Sequence, residues 1–258
     1  MSNVIPVAET KRTSYENFVA ECPWCRQETI FNRASDLQTF EPIGGRNVQC
    51  LNAECGKPFR IVGDSVNERH EMLIFDCYEL LDHKHYMNCI LNLVLAHETF
   101  FSLFLRVELL YKPFVSDPDG DLDHFNRLAR QLSEKIRNHT FGGMRALFFR
   151  QILSGQTVQN LEQTALVIIA LPDSPGDPKD SEIDSYSDRD LVPYLRKLKA
   201  TKIHVLRNRI VHKQAYRPKR DEVDIALQET RSVLFPLTQR LDLHDDLNWY
   251  MAHSSAQE

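Results

Sequence analysis

The chain lacks the features that mark membrane-spanning, secreted, disordered and repetitive proteins. Its one long apolar run, residues 89–105, is interrupted by His97 and Glu98, which predicts a core helix and not a membrane span. The first thirty residues contain Lys11 and Arg12 without a following apolar run, so we expect no secretory signal and a cytoplasmic location. With 42% apolar and 26% charged residues the composition is globular, and no internal repeat is visible.

Two kinds of local pattern divide the chain, whose 258 residues suffice for one large domain or two smaller ones. Paired cysteines and glycine turns fill the first part, and a helical period of apolar residues begins near Asp76. We therefore predict a mainly α protein with a polar lead-in and a small β module at residues 1–66. A helical bundle is predicted for residues 70–251.

Six cysteines in a reducing compartment favour metal binding over disulfides. Four of them form two close pairs, Cys22 with Cys25 and Cys50 with Cys55, which suit a tetrahedral zinc ion. Because four thiolates leave no open coordination position, we expect the zinc to be structural, with redox-active thiols or disulfides as the alternative. The pattern resembles a zinc ribbon over about residues 20–62.

The zinc ribbon is expected to recognise or position a partner, either nucleic acid or a regulatory protein. Trp24, Phe31 and Phe59 could stack on bases, but we favour the interpretation that they fill a small core. A second metal site at His85 and Cys89 is disfavoured because further ligands are missing.

The apolar spacing after Asp76 predicts one long helix that stops at Lys112 and Pro113. Further helices are predicted at residues 121–136, 140–153, 158–171 and 221–243. The apolar segment 158–171 is expected to lie deep in the core, and the last helix could run on toward Met251.

Positive charge is concentrated in residues 189–220. This stretch has eleven Lys and Arg against the single acid Asp190, a net charge of +10 in a chain whose formal net charge is −5. A helical segment with this much positive charge indicates a polyanion-binding surface. The preceding residues 172–188 carry three prolines and six acids against Lys179 alone, which predicts a mobile, solvated acidic loop.

Within the basic stretch, Arg207 and Asn208 are followed by three residues and then by His212. From the abundance of these residue types, such a set is expected about 0.04 times by chance. On a helix, Asn208 and His212 share a face that borders an apolar stripe containing Ile203 and Ile210. Polar side chains at such a border need partners, which indicates an interface or cleft that Arg207 can also reach.

The motif and the order of the helices resemble the HEPN superfamily of helical domains, which carry an Arg, a polar residue and a His on a late helix. The resemblance covers about residues 76–250 and implies a HEPN-like helical bundle. Many catalytic members are metal-independent endoribonucleases that dimerise so that both motifs face one cleft. The resemblance therefore implies an RNA substrate, a homodimer, no catalytic metal, and Arg207, Asn208 and His212 as catalytic residues. A toxin or phage-defence effector is the biological role it most often implies.

The three residue types suit cleavage of RNA by its own 2′-hydroxyl, which leaves a 2′,3′-cyclic phosphate and a 5′-hydroxyl. His212 could act as base or acid, and Arg207 could form two hydrogen bonds with the phosphate. Asn208 could hold the phosphate or fix the imidazole tautomer. The neighbouring cations predicted to bind RNA are Lys199, Lys202, Arg209 and Lys213.

Some of these features have a second interpretation. Arg207 could pair with Glu229 on the following helix while His212 merely packs. Glu98, a carboxylate in an apolar stretch, needs a partner such as Arg207 or His212, and a supporting catalytic role and a structural ion pair are equally open. The acidic loop could mimic RNA and shield the basic helix. For the whole protein, the alternative to an endoribonuclease is a non-catalytic RNA-binding or scaffold module of a larger assembly.

Overall fold

The computed structural model describes residues 17–38, 46–61, 68–117, 120–173, 175–212, 216–247 and 250–251. The protein is mainly helical, with 65% helix against 7% strand. The chain forms two compact units, Met1–Glu68 and Arg69–Glu258. Every described strand lies in the first unit, and the long helices lie in the second.

The amino-terminal unit is built from two β-hairpins. β1 (Asn17–Glu21) pairs antiparallel with β2 (Glu28–Asn32), and β3 (Arg46–Gln49) pairs antiparallel with β4 (Pro58–Ile61). A π turn (Arg33–Leu37) follows β2. Each hairpin therefore presents a tight turn next to one cysteine pair, which sets up the geometry described below.

Buried side chains from both hairpins form a small core. They are Cys22, Phe31, Leu37, Cys50, Phe59 and Ile61. The rings of Phe31 and Phe59 lie 6.2 Å apart in this core. Trp24 is instead 60% exposed, and its indole N–H donates to the carbonyl of Pro58 at 2.9 Å. Core packing was therefore the wrong expectation for Trp24, because the turn between Cys22 and Cys25 directs its side chain outward.

The predicted long helix is a hairpin of two helices, α1 (Arg69–Asp82) and α2 (Tyr86–Arg106). Lys84 adopts φ +60°, and the N–H groups of Lys84 and His85 donate to carbonyl groups in the last turn of α1. This pair of hydrogen bonds ends α1 and reverses the chain. Glycine usually occupies such a left-handed position. Because Lys84 stands there instead, the sequence gives no signal that the helix ends.

α2 continues through a π turn (Val107–Tyr111) into α3 (Lys112–Ser116), so the prediction that Pro113 stops the helix is wrong. Pro113 directly follows the π turn, in which Lys112 N–H donates to the carbonyl of Val107 five residues back, and this wider turn lets the helix continue past a residue without an N–H. Residues Tyr86–Ser116 are long and apolar enough to cross a membrane by length and composition. However, 61% of their most apolar window is buried inside the protein, as in a core helix.

The remaining described helices are α4 (Leu122–Arg137), α5 (Phe141–Ser154), α6 (Leu161–Ala170), α7 (Asp180–Asp184), α8 (Val192–Ala200), α9 (Ile203–His212) and α10 (Arg220–Arg240). The side chains of Asp121 and Thr140 accept from backbone N–H groups and cap α4 and α5. α6 does not lie deep in the core as predicted, since Leu166 and Ile169 are 69% and 73% exposed. A short apolar sequence does not reveal which of its faces meets the core.

The basic stretch forms two helices rather than one. α8 ends where buried Thr201 begins the short connection to α9. α9 packs against α2, and α10 packs against α1, α2 and α8, so α10 joins α8 to the helices that surround α2. α10 ends at Arg240 and does not run on toward Met251, because the chain turns at Asp242, where φ is +54°.

Most described residues of the acidic segment 172–188 are exposed, as predicted for a solvated loop, but the segment is not a loop throughout. It contains α7, and the side chain of Ile183 is completely buried. Arg145, itself buried, donates two hydrogen bonds to the carboxylate of Asp177 at 3.2 and 2.6 Å. The segment therefore packs against α5 and α8, contacts that lie far apart in the sequence and that its composition does not reveal.

Candidate functional site

The predicted catalytic residues lie on α9, which is anchored by one apolar stripe. Ile203 and Ile210 are buried and fix the helix against the bundle. Asn208 and His212 are exposed on another face, together with Val205, which is 44% exposed. The helix thus presents an amide and an imidazole to the outside on a rigid support.

Arg207 lies at the edge of the buried stripe and is partly buried. Its Nη1 donates to Oδ1 of Asn208 at 3.1 Å. Among the described residues no carboxylate lies within 4 Å of the guanidinium, so the alternative pairing with Glu229 is not formed. The guanidinium keeps N–H donors for an anionic ligand.

Glu98 on α2 is the acidic neighbour of Arg207. Burial raises the pKa of the half-buried Glu98 carboxyl above its usual value, and the positive charge of Arg207 partly opposes this increase. The two groups therefore interact electrostatically where α2 and α9 pack together. Such an interaction can orient the guanidinium while leaving it available to a phosphate.

His212 ends α9 and is exposed. None of the described residues donates to its ring or accepts from it. Asn208 is bonded to Arg207 and not to His212, so the amide does not fix the imidazole tautomer in the isolated chain. The structure thus brings Arg207, Asn208 and Glu98 together and leaves His212 open to an external group.

The predicted RNA-binding cations differ in what their charged groups contact. Lys199 forms an ion pair with Asp180 at 2.5 Å. Arg209 stacks over the ring of Tyr216, with its guanidinium carbon 3.9 Å from the ring centroid. Lys202 is exposed and has no acidic partner in the described parts of the chain. Lys213 lies outside the described residues. Lys202 is therefore available to an anion in this structure, whereas Lys199 is occupied.

A groove of about 450 Å³, lined by apolar and polar side chains, lies beside the start of α9. Its lining includes His97 at the floor and Lys197, Thr201 and Glu229 around it. The Nδ1–H of His97 donates to the carbonyl of Leu93 at 2.9 Å. Burial, with the nearby charges of Arg145 and His204, lowers the pKa of His97 to about 4, although its bond to Leu93 opposes the shift. The ring is therefore neutral near pH 7.

This groove was not predicted from the sequence, in which His97 stands out only as an interruption of the apolar run at residues 89–105. A buried polar side chain needs a partner or a cavity, so His97 was the available signal. The other lining residues come from α8 and α10, whose proximity no local pattern reveals.

The four paired cysteines converge in the amino-terminal unit. Their Sγ atoms all lie within 4.8 Å of one another, with 3.9 Å between Cys22 and Cys55 and 3.7 Å between Cys25 and Cys50. A tetrahedron of thiolates around zinc, with Zn–S bonds of about 2.3 Å, requires sulfurs about 3.8 Å apart. A disulfide requires about 2.05 Å, so these cysteines are thiols arranged for a metal ion and not for pairing. The four could therefore bind a metal.

Backbone N–H groups in the two turns stabilise negative charge on sulfur. Burial by itself raises the pKa of the Cys22 thiol. Hydrogen bonds from the backbone of Cys25 and Trp24 and from neighbouring thiols together lower it by more, so the net pKa is about 7. For Cys55, the Lys57 backbone bond lowers the pKa, yet burial and the three other thiols together raise it to about 11. A divalent ion bound by the four sulfurs would favour the thiolate form of each of them.

A second metal site at His85 and Cys89 has no structural support. Cys89 is completely buried, and its Sγ donates to the carbonyl of Cys77 at 3.7 Å. Within the described residues the cluster of paired cysteines is the only group of metal-ligating side chains. Cys77 and Cys89 are free thiols that are completely buried in the core of the helical unit.

Comparison of the chain with protein-family models, curated protein sequences and solved structures gave no match. The interpretation of the site therefore depends on the residues themselves and on the geometry in which they are held.

Proposed function

We propose that this protein is a HEPN-type endoribonuclease that cleaves RNA without a catalytic metal, using Arg207, Asn208 and His212. The observation that carries the proposal is the arrangement around Arg207. Its guanidinium donates to Oδ1 of Asn208 at 3.1 Å, its charge interacts with Glu98, and it lies on the same helix as the exposed His212. A guanidinium and an imidazole are groups that suit a phosphodiester.

The chemistry follows from these groups. An imidazole can take the proton of a ribose 2′-hydroxyl or supply one to the leaving 5′-oxygen. The hydroxyl oxygen attacks phosphorus, the bond to the 5′-oxygen breaks, and a 2′,3′-cyclic phosphate forms. The Arg207 guanidinium would stabilise the charge that develops on the phosphate oxygens. Asn208 holds the guanidinium, and Glu98 acts as a positioning residue through Arg207.

We further propose that the active form is a homodimer. Acid and base catalysis need two proton-transferring groups, and one chain offers a single imidazole in its motif; a second copy would supply the other. The helices that carry the site expose apolar side chains, which favour burial in an interface. These are Leu91 and Leu95 on α2 and Val205 and Val211 on α9.

The ribbon completes the proposal. The four cysteines would hold a structural zinc ion, and exposed Trp24 would contribute to the recognition of RNA or of a regulatory protein. The resemblance to HEPN proteins supports a role as a toxin or phage-defence effector in the cytoplasm.

The test is cleavage of labelled RNA by the purified full chain during brief exposure to EDTA. Wild-type protein should produce cyclic-phosphate ends, and His212→Ala should lower the rate by about 10²–10⁴-fold, as is typical for loss of an acid or base. His83→Ala, which removes an exposed histidine on the α1–α2 turn, is the matched control. RNA binding without cleavage by the wild type would reject the enzyme and favour a non-catalytic RNA-binding module.

A further inference from the structure

The acidic residues 173–184 are aligned with cationic side chains of three helices. The ion pairs join Asp173 to Lys135 at 3.0 Å, Asp177 to Arg145 at 2.6 Å, Asp180 to Lys199 at 2.5 Å and Asp184 to Arg196 at 2.6 Å. A series of negative charges on one segment thus meets a series of positive charges on the surface below it. The single-stranded backbone of a nucleic acid has the same character, one negative charge after another.

The pairs differ in strength along the segment. Arg145 is almost completely buried, and its two hydrogen bonds to Asp177 form a fixed attachment. Asp180 and Asp184 are 85% and 44% exposed, so their pairs are weak and screened by salt. The segment is therefore held at its middle and at buried Ile183, while its contacts to α8 can be exchanged for another anion.

The cations that Asp180 and Asp184 neutralise belong to the basic stretch 189–220, and Lys199 is one of the residues predicted to bind RNA. Arg196 and Lys199 lie three residues apart on α8 and share one face. Lys202, exposed and unpaired among the described residues, follows directly before α9. These three residues, here called the α8 strip, lead along the chain toward Arg207 on α9.

We propose that the α8 strip binds the phosphate backbone of RNA, and that Asp180 and Asp184 occupy it in the resting protein as an intramolecular substitute for two phosphates. The choice of RNA as the ligand rests on the proposed function, but competition between the carboxylates and RNA for the α8 strip does not require cleavage. RNA that reaches Arg207 displaces the two carboxylates from the α8 strip, and the attachment at Arg145 keeps the segment on the bundle. An anion must therefore bind the α8 strip more tightly than the two carboxylates do, and weakly binding anions do not displace them.

The test measures binding of a fluorescein-labelled single-stranded oligoribonucleotide of mixed sequence to full-length protein carrying His212→Ala, across a range of NaCl concentrations. Adding Asp180→Asn and Asp184→Asn should tighten binding several-fold at low salt. Salt screens the two ion pairs that compete with RNA in the wild type, so the gain in affinity should shrink as the NaCl concentration rises, and log K of the variant should fall more steeply with log salt. Both carboxylates are exposed, so the fold should be retained, and circular dichroism checks this.

The matched control is Asp224→Asn on α10. Asp224 pairs with Arg220. In this pair, as in the pair of Arg196 and Asp184, the arginine side chain is 61% exposed and the aspartate side chain 44% exposed. This control should leave the slope unchanged. An unchanged affinity and slope in the Asp180 and Asp184 variant would overturn the proposal, as would a drop in melting temperature without a change in slope. If the double variant does not fold, Asp184→Asn alone gives the same test.

The outcomes separate this inference from the proposed enzyme. Tighter binding by the variant, together with no cleavage by the wild type, would keep the α8 strip and reject the endoribonuclease. Cleavage by the wild type with no effect of the two substitutions on binding would keep the endoribonuclease and reject the masking of the α8 strip.

Discussion

Glu98 on α2 and Arg207 on α9 form an electrostatic pair at the packed junction of the two helices, with burial raising the pKa of the carboxyl and the guanidinium opposing that increase. Arg207→Ala should therefore raise the pKa of Glu98 further, which carbon-detected NMR titration of the carboxyl can measure. Arg209→Ala is the control, because Arg209 lies over Tyr216. Equal shifts in the two variants would show that Glu98 senses general charge and does not position Arg207.

A second prediction concerns the dimer. Val205 is 44% exposed on the face of α9 that carries Asn208 and His212, so Val205→Glu should place two repelling carboxylates in the proposed interface. We expect a monomer by light scattering and loss of cleavage. Ile225→Glu on α10, where the replaced side chain is 59% exposed, should leave both properties unchanged. A monomeric Val205→Glu variant with full activity would show that one chain contains the complete site.

A third prediction concerns the metal. The purified full chain should contain one zinc ion per chain by mass spectrometry, and Cys50→Ser should release it, because three thiolates bind zinc more weakly than four. Cys77→Ser should retain the metal, since Cys77 lies in the core of the helical unit. Prolonged chelation should unfold the ribbon and preserve most of the helical circular dichroism, since the helices form a separate compact unit.

A fourth prediction concerns acid stability. Burial, together with the charge of His97, lowers the pKa of His70 to about 3, and burial is also the main cause that lowers the pKa of His97 to about 4, from a usual value of 6.5. The pKa of each ring is lower in the folded state than in the unfolded state, so below pH 6.5 the unfolded chain binds more protons than the folded protein. Stability should therefore fall as the pH drops from about 6.5 toward 4, by up to about 1.4 kcal/mol per pH unit for each ring.

Urea unfolding followed at several pH values measures this dependence. His97→Gln should flatten the slope between pH 6.5 and 4, because a neutral amide replaces one of the two rings. His83→Gln keeps both buried rings and should retain the wild-type slope. A wild-type protein whose free energy of unfolding is constant over this range would contradict the burial of neutral imidazoles.

The sequence by itself determined the features that depend on local chemistry. The spacing of Cys22, Cys25, Cys50 and Cys55 identified a cysteine cluster that could bind a metal, and the apolar period placed the helices at 121–136 and 140–153 to within one residue of their observed bounds. It also located Arg207, Asn208 and His212 on a helix, because the apolar period around them is helical. These features involve residues that are close in the chain, where periodicity and turn chemistry are strong signals.

Only the tertiary structure decided which distant groups meet. It broke the predicted long helix at Lys84, where hydrogen bonds rather than a glycine impose the left-handed backbone. It placed the acidic segment on Arg145 and α8, and it brought His97 into a groove with residues of α8 and α10. A buried or charged side chain needs a partner of complementary charge or hydrogen-bonding type. Which residue becomes that partner depends on how the whole bundle packs and not on the residues next to it in the chain.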